Sequence, residues 1–126
     1  MRGGDDPHFP RLVPFEGYGN GGFSFAGMSH RGSLLCLPSG IWAWPVTQPH
    51  EITEVTLAPV FAEAGDLGLF LLGTGREAWD MPSALRRRFH ELKVTVEVTR
   101  TGIALSTFNL LLEERRRVAA GLVAVA

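Results

Sequence analysis

The sequence predicts a single α/β domain with a central mixed sheet. Three observations carry that prediction. The chain has 126 residues, 45% of them apolar, enough for one core. Its first half reads as short strands punctuated by glycine, and its second half alternates strands with helices of about ten residues, the pattern of βαβ units and parallel pairing. The N-terminal strands are then expected to add an antiparallel piece to the same sheet.

Residues 1–10 read as a flexible N-terminal arm, because Gly3, Gly4, Pro7 and Pro10 offer little to bury. Residues 11–126 form the domain. Phe23 and Phe25 alternate with Ser24 and Ala26, the period of a half-buried strand, and Tyr18-Gly19-Asn20-Gly21-Gly22 supplies the tight turn before them. The run from Gly32 to Pro38 (Gly-Ser-Leu-Leu-Cys-Leu-Pro) is apolar throughout, as in a strand buried on both faces. Ile41 to Pro45 is another strand, with Trp42 and Trp44 on one face. Leu57, Val60, Phe61 and Ala64 then mark one face of a helix, with Thr56 as its cap and Gly65 as its end. Leu67 to Leu72 is a buried strand running into Gly73-Thr74-Gly75. Met81, Leu85, Phe89 and Leu92 form a second helical stripe with Pro82 near its start. Val94, Val96 and Val98 alternate as a strand. Ala104, Phe108, Leu111 and Leu112 mark a third helix capped by Thr101, and Val118 to Val125 closes the sheet.

Charge and cysteine usage exclude several classes. Lys plus Arg is 12 and Asp plus Glu is 13, a net charge of -1, without the basic footprint of nucleic-acid binding. The one cysteine, Cys36, makes no intrachain disulfide and sits mid-strand as a small apolar filler. The histidines, His8, His30, His50 and His90, show no metal-ligand spacing, so no metal and no cofactor are expected. No apolar run reaches the roughly 18 residues of a membrane span, and the first ten residues lack a signal-peptide core. The expectation is a soluble, cytoplasmic protein.

Two sets of residues are candidates for function. Gly73, Thr74 and Gly75 follow a buried strand, where open α/β sheets bind ligands; Thr101, Thr107 and Asn109 add polar groups and free N–H groups at the start of the third helix. This set lacks the full dinucleotide fingerprint and any phosphate-loop lysine. Trp42 and Trp44 are the second set, either packed in the core or presented to a partner or second copy. Arg115, Arg116 and Arg117 fall at a helix C-terminus, where positive charge complements the dipole. No catalytic grouping of Ser, His and Asp declares itself.

In their order and spacing, Gly22-Phe23-Ser24-Phe25, the Gly32–Pro38 run, Leu71-Leu72-Gly73-Thr74-Gly75, the stretch from Thr101 to Leu111, and Arg117-Val118-Ala119-Ala120 resemble the Mth938-like proteins, over about residues 12 to 124. The resemblance implies a three-layer α/β domain and no established reaction. It includes a mitochondrial relative that is a complex I assembly factor and an animal member linked to adipocyte differentiation. Many members look like Thr-Gly-Ala-Ala-Cys-Arg-Thr-Tyr-Asn where this chain carries Thr101 to Asn109, so their helix cysteine is Leu105 here and their tyrosine is Phe108. A helix-ending glycine of the family corresponds to Arg115, which would cost about 1 kcal/mol if that position is left-handed. The expected function is therefore a non-enzymatic binding or assembly factor acting through protein partners. The alternative is a small-molecule or anion site, with or without an enzyme activity, at the Gly73 turn and the 101–112 helix.

Overall fold

The computed structural model describes residues 7–126. Three strands come first: β1 (Phe15–Gly19), β2 (Gly22–Phe25) and β3 (Met28–Arg31). They form an antiparallel meander. Asn20 and Gly21, with φ of 52° and 81°, make the first hairpin turn, the geometry that an Asn-Gly pair favours. The N-terminal strands were expected to add an antiparallel piece to the central sheet; the two that follow do so, but these three make a separate three-stranded sheet. Gly32, at φ 100°, redirects the chain, so that the next strand starts the main sheet instead of continuing the meander.

The main sheet has five strands: β4 (Ser33–Leu37), β5 (Gly40–Trp44), β6 (Leu69–Gly73), β7 (Thr95–Thr99) and β8 (Val118–Leu122). Their order is β5-β4-β8-β6-β7. Pairings among β5, β4 and β8 are antiparallel, and those among β8, β6 and β7 are parallel, so the sheet is mixed as expected. The long parallel crossovers run through α2 (Ser83–Glu91) and α3 (Thr101–Glu113). A short α1 (Ala58–Ala62) links β5 to β6.

Side-chain alternation along the buried strands creates two cores. Leu35 and Leu37 of β4 point to one face with Trp42, Trp44, Phe70 and Phe89. Leu34 and Cys36 point to the other with Phe108, Phe15, Phe23 and Phe25. The continuous apolar run is thus explained: β4 is covered by α1 and α2 on one side and by α3 with the small sheet on the other. This is the three-layer arrangement that the family resemblance implied. Asn109 fixes the small sheet to α3 at two points. Its Nδ2 donates to the Phe15 carbonyl at 2.9 Å, and its Oδ1 accepts from the Phe15 N–H at 2.8 Å.

Several local expectations need correction. The first helix is one turn long, and Thr56 does not cap it; its Oγ1 donates to the Glu51 carbonyl and accepts from the Thr53 N–H. Gly65 does not end it either, because it lies inside a 3-10 turn (Ala64–Asp66). Arg100, not Thr101, holds the cap position of α3. The closing strand ends at Leu122, three residues before Val125. Both longer helices end in a left-handed residue that is not glycine, Lys93 at φ 60° and Arg115 at φ 61°. Each satisfies two terminal carbonyls: the N–H groups of Arg115 and Arg116 donate to Leu112 and Leu111, and those of Lys93 and Val94 to His90 and Phe89. Arg115 is therefore left-handed, the condition under which the resemblance implied a cost there.

Of the expected arm, residues 1–6 lie outside the described residues. Residues 8 and 9 run antiparallel to β5, with the His8 N–H donating to the Ile41 carbonyl at 2.8 Å and the Ile41 N–H to the Phe9 carbonyl at 2.9 Å.

Candidate functional site at the carboxyl ends of the parallel strands

The chain leaves β6 through Gly73, Thr74 and Gly75, and α3 begins beside that turn. Gly73 is required here because a Cβ on it would lie 2.7 Å from the Thr101 Cα, a contact that backbone cannot relieve. Thr101 is fully buried, and its hydroxyl is used twice: Oγ1 accepts from the Gly75 N–H at 2.8 Å and donates to the Val123 carbonyl at 2.7 Å. The Thr101 N–H donates to the Gly75 carbonyl at 3.0 Å, and the Val123 N–H to the Gly73 carbonyl at 2.9 Å. Thr74 is equally committed. Its N–H and hydroxyl both bond the Thr99 carbonyl, and the hydroxyl also reaches the Glu77 carbonyl.

The structure thus brings Gly73, Thr74, Gly75 and Thr101 together, as a knot that ties β6, α3 and the segment after β8. It does not bring Thr107 and Asn109 to that knot. They lie six and eight positions further along α3, roughly 9 and 12 Å at the helical rise. Asn109 spends its amide on Phe15 instead.

Just outside the knot lies an open groove of about 710 Å³, lined by Tyr18, Gly75, Arg76, Arg100, Gly102 and Ile103, among others. Tyr18 and Ile103 are large apolar residues left 48% and 57% exposed. The Arg76 guanidinium reaches the Ala126 carbonyl oxygen. Arg76 and Arg100 gave no signal as a motif, since they are single basic residues in loops, far apart in the chain.

The remaining chemistry-bearing groups are few. Cys36 is fully buried, and loss of solvation pushes its thiol pKa far above the ordinary value, so it is a poor nucleophile at neutral pH. His8 and His30 form a pair not visible in the spacing, with ring centroids 4.5 Å apart. Burial, then the neighbouring His8, hold the His30 pKa below its ordinary value, against one opposing backbone hydrogen bond. Among the described residues no cluster of three His, Cys, Asp or Glu side chains is arranged to hold a metal. No helix among them is long and apolar enough to cross a membrane. Trp42 and Trp44 are 9% and 3% exposed, with indole N–H groups donating to the Ser39 hydroxyl and the Thr56 carbonyl. They are core residues, the first of the two alternatives the sequence left open.

Fold and site together define a small three-layer α/β domain with a self-bonded crevice. The chain belongs to the family described as protein of unknown function (DUF498/DUF598), whose model matches residues 15–123. It is 35% identical over 118 residues to an uncharacterized protein of Rhodobacter capsulatus, covering 94% of this chain and 90% of that one. It is 27% identical over 115 residues to the NADH dehydrogenase (ubiquinone) 1 alpha subcomplex assembly factor 3 of Rattus norvegicus. That match covers 91% of this chain but only 62% of the rat protein. Among solved structures, a Bartonella henselae protein described as an outer membrane protein superposes with a TM-score of 0.91 at 44% identity, covering 94% of this chain and 100% of that one. A Bordetella pertussis Mth938-like domain shares the fold, with a TM-score of 0.75 at 24% identity over 98% of this chain and 92% of that one.

Proposed function

We propose that this chain is a non-enzymatic assembly or binding factor that works through protein partners. The observation that carries the reading is the state of the crevice. At the carboxyl ends of β6 and β7, where an open α/β sheet would place its ligand groups, the hydroxyls of Thr74 and Thr101 are buried and already bonded to backbone. The side chains best placed for chemistry hold the fold together. The similarity to assembly factor 3 supports the same reading, and the partner class it points to is a subunit or subassembly of a respiratory NADH dehydrogenase. The proposed location is the cytoplasm, with the outer membrane named for the Bartonella protein as the competing site.

The test is capture of the tagged chain from crosslinked native cells, followed by mass spectrometry and cell fractionation. Enrichment of NADH dehydrogenase subunits over a tag-only control, with the chain in the cytoplasmic fraction, is the expected result. No enriched partner from well-expressed, folded chain overturns the reading. Trp42 and Trp44 do not serve as contact probes here, because changing either disturbs the core.

A second reading keeps the small-ligand alternative and moves it outward from the knot. The 710 Å³ groove presents the Arg76 and Arg100 guanidinium groups beside the start of α3, a setting for a small carboxylate or phosphate ligand. Thermal-shift titration with inorganic phosphate and with succinate tests it, since a ligand at 100 times its dissociation constant stabilises by about 2.7 kcal/mol. A shift that disappears in Arg100→Ala supports the site, and no shift with either anion removes these two anions as its ligands.

A further inference from the structure

The two edges of the main sheet are treated differently. On β5, residues 8 and 9 bond both the N–H and the carbonyl of Ile41, and Pro45 follows the strand with no N–H to offer. β7 has no such cover among the described residues. The Thr95 N–H donates to the Gly68 carbonyl, and the Thr99 carbonyl accepts from the Thr74 N–H. The parallel ladder therefore turns the backbone of Thr95, Glu97 and Thr99 toward β6. It leaves the N–H and C=O groups of Val96 and Val98 facing outward. An edge of this kind accepts another strand.

Grooves flank both faces of that edge. One, of about 450 Å³, is lined by Arg86, His90, Lys93 and Val96 among others. The other, of about 420 Å³, is lined by Thr95, Glu97, Leu111, Arg116 and Arg117 among others. Side chains of an added strand alternate between the faces, so successive residues would enter successive grooves. Arg86, Lys93, Arg116 and Arg117 are exposed, and none is in an ion pair among the described residues. Within the two linings the one carboxylate is Glu97. Val96 and Val98 add partly buried apolar surface at the core's margin.

We propose that β7 is a docking edge for an extended segment of a partner protein in which acidic and apolar residues alternate, added to the sheet as a sixth strand. Charge selects the occupant. Alternation places the acidic side chains together on the face of Arg86 and Lys93 and the apolar ones on the face of Leu111, while the outward N–H and C=O groups of Val96 and Val98 set the register. A second copy of this chain fits worse. Antiparallel pairing of β7 with itself about its centre puts Glu97 opposite Glu97, a like-charge pair that costs stability. This proposal rests on the partner-binding reading and adds the place and the chemistry of the contact.

The experiment uses fluorescein-labelled octapeptides of alternating Val and Glu, read by fluorescence anisotropy against the full chain. A second peptide carries N-methyl groups on alternate residues, which keep the charge and remove the hydrogen bonds. A third alternates Val and Lys. Binding of the Val/Glu peptide at least tenfold tighter than either control is expected. It should weaken tenfold in Val98→Pro, which removes an outward N–H, and in the Arg86→Glu/Lys93→Glu double variant. Unfolding midpoints of both variants check that the fold is intact, and the double variant keeps the test open if the proline variant does not fold. Equal binding of the N-methylated peptide, or no binding of the Val/Glu peptide, overturns the proposal. So does a dimer by light scattering that Val98→Pro abolishes, because the occupant is then a second copy. Crosslinked capture with wild-type and Val98→Pro chains separates the two levels. Equal capture by both sinks the edge and leaves the assembly reading standing, whereas no capture by wild type sinks the assembly reading.

Discussion

Replacing Thr101 by valine tests whether the crevice is structural. Valine has nearly the shape of threonine, so the change removes the hydroxyl and little else. Thr101 is fully buried, and Gly75 and Val123 are buried with it. The variant leaves the Gly75 N–H without its acceptor and the Val123 carbonyl without its donor. A buried polar group left unpaired costs about 1–3 kcal/mol. With a partial offset of about 1 kcal/mol from the added methyl, the net loss is about 3 kcal/mol. For a domain of this size that lowers Tm by about 10 °C. Thr101→Ser is the control, since it keeps both bonds and gives up one methyl, about 1 kcal/mol. Urea unfolding followed by circular dichroism reads both variants, with an unchanged m-value certifying that midpoint shifts are stability shifts. If Thr101→Val is as stable as Thr101→Ser, the hydroxyl is not what ties α3 to the segment after β8, and it becomes free to be a ligand group.

Three further outcomes follow from the geometry. Arg115→Gly should stabilise the chain by about 0.5–1 kcal/mol, because the left-handed position no longer carries a Cβ, less the extra backbone entropy of glycine; denaturant midpoints check it. Gly73→Ala should destabilise by about 2 kcal/mol through overpacking against Thr101, whereas Gly102→Ala should stay within about 0.5 kcal/mol, because its Cβ meets only the movable end of Tyr18; thermal melts of the pair compare them. Because the His30 pKa is lowered in the folded state, the unfolded chain takes up that proton first as the pH falls, so stability holds above the ordinary histidine range and declines through and below it. His30→Asn should flatten that decline when urea midpoints are measured from about pH 8 to about pH 5, roughly 1.5 units on either side of the ordinary histidine value.

How much of this was legible in the sequence varies with the distance over which each residue's role is decided. The mixed sheet was readable because strand period, helical stripe and punctuation are local. Asn20-Gly21 announces its hairpin, and the Leu34–Leu37 run announces burial on both faces. Thr101 misled because cap and first-turn hydroxyls differ by one residue, while the choice is made by Val123, 22 positions away. The separate small sheet was missed because Gly32 reads as one more hairpin glycine, and only its φ shows that the chain leaves the meander. Lys93 was silent because the helix-end signal is glycine, and Arg115 showed only through the family resemblance; each position is held left-handed by two hydrogen bonds that sequence does not display. The candidate site fared worst. Gly73 to Gly75 and Thr101 do meet, but their proximity to one another does not make them available to a ligand.

That distinction turns on the segment from Val123 to Val125. Val123 bonds Gly73 through its N–H and Thr101 through its carbonyl, and the Val125 carbonyl accepts from the Gly21 N–H at 2.7 Å. One stretch of backbone thereby closes the carboxyl ends of the parallel strands and ties them to the small sheet. A ligand entering the knot would have to replace these buried bonds one for one, whereas a ligand in the outer groove or a strand along β7 has none to break. Unused hydrogen-bonding capacity lies on the surface of this domain, and at the Val96 and Val98 edge it is arranged at the spacing another protein's backbone can match. Under the assembly reading proposed above, recognition adds a strand to this edge, which a catalytic cleft does not require.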